Sequence, residues 1–194
     1  YFPFDHAVSR SYRWNEDGMA GLCDDQQRLC LAMAFWNGAD PVIKERLFGL
    51  SGPEGNHGED PKEHWWFVDS TPTHSWMQWR YAYPVEEFPY EGLRSVNARL
   101  GRDDPEFELA DTGIFDAGFW DIGVTYAKAA ADDICVEISV RNVSERAHTL
   151  HVLPHLWFRN TWSWGRRDEQ GTIEAEGAEL VASWDSGSMR LASD

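Results

Sequence analysis

Between Trp120 and Phe158 the sequence alternates apolar and polar residues in three successive runs, and that two-residue period admits little besides β-strands. Ile122, Val124 and Tyr126 alternate in the first run, and Ile134, Val136, Ile138 and Val140 in the second. Leu150, Val152, Leu156 and Phe158 do so in the third, on either side of Pro154. A helix would scatter such side chains around its circumference, whereas a strand gathers them on one face. Other segments read the same way. Residues 28–36 form an apolar run that predicts a buried strand ended by Asn37-Gly38, with residues 42–50 as its hairpin partner. Residues 63–68 and 75–83 are ring-rich strands around turn chemistry at 69–74. Residues 142–147 suit a hairpin-like connection, and 172–175, 180–184 and 189–191 are shorter strand-like pieces. One helix is expected over 88–100, where Leu93, Val96 and Leu100 fall at steps of three and four. The expected fold is therefore mainly β: an antiparallel two-sheet sandwich with one or two short helices, in one domain over residues 1–194.

Charge narrows the partners. Asp and Glu number 33 against 17 Lys and Arg, a formal charge of −16. A nucleic-acid backbone or an anionic membrane surface needs clustered positive charge, so neither is expected as a partner. No apolar stretch reaches the 18 or so residues a membrane helix needs. Of the basic residues 14 are arginine and three are lysine, which favours forked pairing with the surplus acids. Cys23, Cys30 and Cys135 are odd in number and lack metal-ligand spacing, so they predict buried, reduced thiols and a cytoplasmic setting. The start at Tyr1, with no initiator Met, suits an incomplete domain cut from a longer protein.

Phosphate-cradling glycine loops, H-E-x-x-H and G-x-S-x-G are missing from the sequence. The densest polar stretch is 54–64, which holds Asn56, His57, Glu59, Asp60 and Glu63. Glu59 and Asp60 are adjacent and point opposite ways in an extended chain, so they make a poor pair for glycoside hydrolysis. Asp69, Ser70 and His74 carry the letters of a hydrolytic triad, yet they sit within one short turn. His148, His151 and His155 have no carboxylate or thiol beside them, so neither a metal nor a cofactor is expected. Trp65 and Trp66 must face opposite sides of their strand, which leaves one of them outside the core. Trp66 and Trp76 flank the polar turn, and Trp162 lies beside Arg159 and Asn160. Rings beside fixed polar groups suit either sugar stacking or packing against another domain.

The words Asp5-His6-Ala7, Arg13-Trp14, Glu16-Asp17-Gly18, Gln27-Arg28-Leu29-Cys30 and Phe35-Trp36-Asn37-Gly38 are similar to the N-terminal part of bacterial glucosidases of glycoside hydrolase family 63. So are Lys44 through Leu50, Glu54 through Asp60, Lys62-Glu63, Asp69 through Ser75, Asp111-Thr112-Gly113, Leu153-Pro154 and Leu156 through Trp164. The pattern departs from the family at Trp65, Trp66 and Trp76, where tyrosine is commoner, and at Pro61. The resemblance implies an N-terminal β-super-sandwich of a mannosyl-oligosaccharide glucosidase-like enzyme. Its C-terminal six-hairpin α/α toroid, outside this chain, would carry the catalytic acid and base and act on an oligosaccharide substrate. On that basis no catalytic residue is expected here. Asn56, His57, Glu59, Asp60, Glu63, Asp69, His74, Trp66, Trp76, Arg159, Asn160 and Trp162 become candidates for a substrate rim or an interface with the toroid. A stand-alone carbohydrate-binding module and a purely structural docking domain are the rival expectations.

Overall fold

The computed structural model describes residues 2–3, 18–50, 61–165 and 170–193. Its elements run β1 (Phe2–Pro3), β2 (Met19–Cys23), β3 (Leu29–Trp36), β4 (Phe48–Gly49), β5 (His64–Ser70), β6 (Trp76–Pro84) and α1 (Tyr90–Asn97). They continue with β7 (Phe119–Ala130), β8 (Asp133–Val143), β9 (His151–Phe158), β10 (Thr172–Glu176), β11 (Glu179–Trp184) and β12 (Gly187–Leu191). The fold is mainly β, with three antiparallel sheets ordered β5-β6-β7-β8, β2-β3-β9 and β10-β11-β12, and a small parallel pair, β1-β4. Two compact units result. One is built on Tyr1–Arg10 and Phe35–His151; the other combines Ser11–Ala34 with Val152–Asp194.

In the first unit the four-stranded sheet turns the alternation of β7 into two unlike faces. Trp120, Ile122, Val124 and Tyr126 are buried, while the residues between them are half-exposed. Register carries that choice across the sheet, because directly opposed residues share a face. Tyr81 lies opposite Ile122, and Val124 lies between Trp79 and Ile138, all on the inner side. Tyr81 stacks on Tyr83 at 5.3 Å, and Trp79 meets Tyr126 edge-on at 5.4 Å. Helix α1 contributes Leu93, which is fully buried. At its C-terminal end Asn97 donates to the carbonyls of Leu93 and Phe107 and accepts the Phe107 N–H, which fastens the following loop. Two short 3-10 turns, Leu109–Thr112 and Ile114–Ala117, meet at Gly113, whose φ of 73° suits glycine.

The second unit holds the β10-β11-β12 meander and β2 with most of β3 and β9. Pro154 sits in β9, at the edge of its sheet, where a missing N–H is tolerated. Phe158 packs edge-on against Trp184 at 6.0 Å.

Three local expectations give way. The hairpin partner of β3 is β2, not residues 42–50, which meet it through the Phe35–Lys44 bridge and then pair as β4 with β1. Residues 142–147 are no hairpin, because β8 and β9 belong to different sheets. All three cysteines are free of disulfides, but only Cys30 is buried; Cys23 and Cys135 are exposed. Among the described residues no helix is long and apolar enough to cross a membrane.

Candidate functional site

The first unit contains two concentrations of polar chemistry, one sealed inside and one open on the outer sheet face. The sealed one centres on Lys44 and Glu63, whose side chains are both 0% exposed and whose charged atoms lie 2.8 Å apart. Glu63 Oε1 also accepts the Tyr81 hydroxyl at 2.7 Å, and Oε2 accepts the Phe48 N–H at 2.7 Å. The Lys44 ammonium contacts the Tyr90 hydroxyl and lies over the rings of Phe88 (4.1 Å) and Tyr90 (4.3 Å). Such cation–π geometry suits a desolvated charge. Nearby, Asp40 takes the Tyr83 hydroxyl and the Phe88 N–H, and Asn37 Oδ1 accepts the Ala39 and Asp40 N–H groups. Burial, reinforced by the charge of Glu63, pushes the Tyr81 and Tyr90 hydroxyls well above the ordinary tyrosine range. Burial and then Asp40 do the same for Tyr83. These hydroxyls stay protonated donors, and the cluster braces the interior.

The open concentration lies on the other face of the same sheet. Trp66 stands opposite Arg80, Arg80 opposite Gly123, and Gly123 opposite Ser139. In the adjoining row Asp121 is opposite Arg141; on the other flank Gln78 is opposite Thr125 and donates to its hydroxyl at 3.4 Å. Gly123 leaves a floor without a side chain, and a groove of about 810 Å³ results. Its charged wall is a closed fork. Arg80 Nε and Nη2 reach the two oxygens of Asp121 at 2.8 and 3.1 Å, and Arg141 Nη2 adds a third contact at 2.8 Å. These hydrogen bonds, Arg80's first, hold the Asp121 carboxyl below the usual carboxylate range against a smaller burial penalty. Trp66 is 47% exposed, and its neighbours Phe67 and Val68 are 56% and 50% exposed.

The sequence candidates distribute as follows. Asn56, His57, Glu59 and Asp60 lie outside the described residues. Glu63, expected at a rim, is withdrawn into the interior, because Lys44 and three rings would otherwise bury an unpaired cation. Trp66, Asp69 and Trp76 share the outer face, in the rows of Arg80, Gln78 and Ala127. Asp69 accepts the Ser70 N–H at 2.8 Å, a turn role. His74 is exposed at a φ of 51° in that turn, and its N–H donates to the Thr71 carbonyl at 2.9 Å. Thr71, whose hydroxyl accepts the Ser75 and Trp76 N–H groups, closes it. Arg159, Asn160 and Trp162 belong to the second unit and are half-buried. There Arg159 donates to Gln27 at 2.7 Å, and Asn160 accepts from Ser163 at 2.5 Å.

Sequence reasoning missed Arg80, Asp121, Gly123, Ser139 and Arg141. The alternation already assigned Asp121 and Gly123 to the face opposite Ile122, and only the register was needed to set them beside Arg80 and Arg141. Among the described residues no group of His, Cys, Asp and Glu is arranged to hold a metal ion.

The chain is 40% identical, over 195 aligned positions, to the Saccharomyces cerevisiae protein described as uncharacterized protein YMR196W. That similarity covers 93% of this chain but only 18% of the yeast protein. No family model and no solved structure matches the chain.

Proposed function

We propose that this chain is a non-catalytic, N-terminal β portion of a glucosidase-like inverting glycoside hydrolase acting on α-linked oligosaccharides. The parent's toroid would supply one carboxylic acid to protonate the glycosidic oxygen and a second to activate water. The observation that carries the reading is the state of the acids nearest the exposed rings. A general acid for glycoside cleavage needs a raised pKa and access to the leaving oxygen. Glu63 is sealed against Lys44, and Asp121 is clamped by two arginines that favour its ionised form. Both are built to hold structure and orient polar partners. The long words shared with the glucosidases support the parent activity, and the greater length of the yeast relative leaves ample chain for a catalytic domain.

The test is to express the longer protein that carries these residues and supply glucose-capped α-linked oligosaccharides. Released glucose should appear first with inverted anomeric configuration by proton NMR. Asp121→Asn should leave kcat within about threefold, any loss of sugar contact falling on KM, since a catalytic acid would contribute about a hundredfold or more to kcat by proton transfer. Absence of any glycoside cleavage, or abolition of turnover by that change in a folded protein, would overturn the proposal.

A further inference from the structure

We propose that the outer face of the β5-β6-β7-β8 sheet is itself a saccharide-binding surface, with Trp66 as its stacking platform and the trough over Gly123 as its floor. It deepens the oligosaccharide reading above and rests on it for the choice of α-linked probes. A pyranose offers two unlike surfaces. Its C–H face seeks an apolar plane, and its equatorial hydroxyls need groups that both donate and accept in the ring plane.

Trp66 provides the plane, exposed and at the end of a row whose next members are Arg80, Gly123 and Ser139. Because Gly123 has no side chain, the row stays low beyond Arg80, and a saccharide stacked on the indole can extend along it toward the Ser139 hydroxyl. A Cβ built on Gly123 would come within 2.6 Å of Ser139 Oγ, so the serine hydroxyl leans over the glycine and forms part of the floor. Along its walls the free N–H groups of Arg80 and Arg141 donate, Asp121 accepts, and the Ser139 hydroxyl and Gln78 amide do both. The fork among Arg80, Asp121 and Arg141 fixes those groups in advance, which lowers the ordering cost of binding.

Charge decides against a protein partner. The centre of a docking interface is depleted in charged residues, yet here three charged side chains occupy the middle of the face. It also argues against a polyanionic ligand. The two arginines share one aspartate, and the chain as a whole carries −16. A neutral oligosaccharide remains the ligand whose chemistry fits the face.

The experiment is isothermal titration of the 194-residue protein, with tryptophan fluorescence in parallel. The probes are maltoheptaose, a neutral α-linked mannan oligosaccharide and, as anionic comparator, oligogalacturonate. At least one neutral probe should bind. Trp66→Ala should weaken it by about tenfold or more, Trp66→Phe should retain most of the affinity, and Gly123→Leu should block the trough. Trp66 is exposed, so its replacement leaves the fold intact by circular dichroism even if the Gly123 variant does not fold. The proposal is overturned if neither neutral oligosaccharide binds, if only oligogalacturonate binds, or if Trp66→Ala binds as the parent does. Failure here is read in binding, whereas failure of the hydrolase reading is read in released glucose, so the two are distinguishable.

Discussion

Glu63 receives three kinds of donor at once: an ammonium, a phenol and a backbone N–H. Removing its charge would leave Lys44 as a buried cation with only rings and a phenol around it. Glu63→Gln should therefore cost about 3–5 kcal/mol of stability, the range for breaking a buried pair from one side. Replacing both partners with apolar residues, as in Lys44→Met with Glu63→Leu, should recover much of the loss. Urea denaturation of the three variants checks both statements. The tyrosines make a separate prediction. Tyr81, Tyr83 and Tyr90 have folded pKa values above the ordinary value of about 10, so their contribution is whole below that pH. Above it the unfolded chain loses protons that the folded chain keeps. Stability then falls by up to about 1.4 kcal/mol per pH unit for each tyrosine. A urea midpoint unchanged between about pH 9 and pH 11 would contradict this assignment. Phe at position 81 should shallow the alkaline slope.

At the level of elements, the turn into β7 depends on Gly118. Its φ is 106°, and a Cβ there would meet Ser144 Cβ at 2.3 Å and the Val143 carbonyl oxygen at 2.6 Å. Gly118→Ala should destabilise the protein by more than about 1 kcal/mol, visible as a lowered thermal midpoint. The strands β7 and β8 were legible because period-two burial is local information, and α1 because Leu93 anchors a helical stripe. The pairing of β3 was not, since residues 42–50 are the longer apolar run and lie no farther from it than the five residues of β2. Nothing local records that Lys44 turns inward to meet Glu63. The outer-face groove was half legible. Alternation separated Trp65 from Trp66, but the meeting of Arg80, Asp121 and Arg141 is a product of register across three strands. A one-residue slip of any one of these strands would have pointed its member of the trio at the core.

For the molecule as a whole, the division into two units follows from which stretches of chain contact one another. The first is nearly continuous in sequence, and it contains both the sealed cluster and the proposed sugar face. The second draws on segments separated by more than a hundred residues. Long-range closure of that kind is slow, because the intervening loop must be ordered before its contacts form. The order of synthesis then matters. Residues 29–34, apolar and destined for the middle of the β2-β3-β9 sheet, leave the ribosome long before β9 exists. Until residues 152–158 emerge, one edge of β3 has no native partner, an open invitation to pairing with other nascent chains. Chains arrested so that residues up to 151 have cleared the exit tunnel should fold their first unit yet remain prone to aggregate through β3. Extending them past residue 158 should relieve it, which pelleting of arrested ribosome complexes can measure.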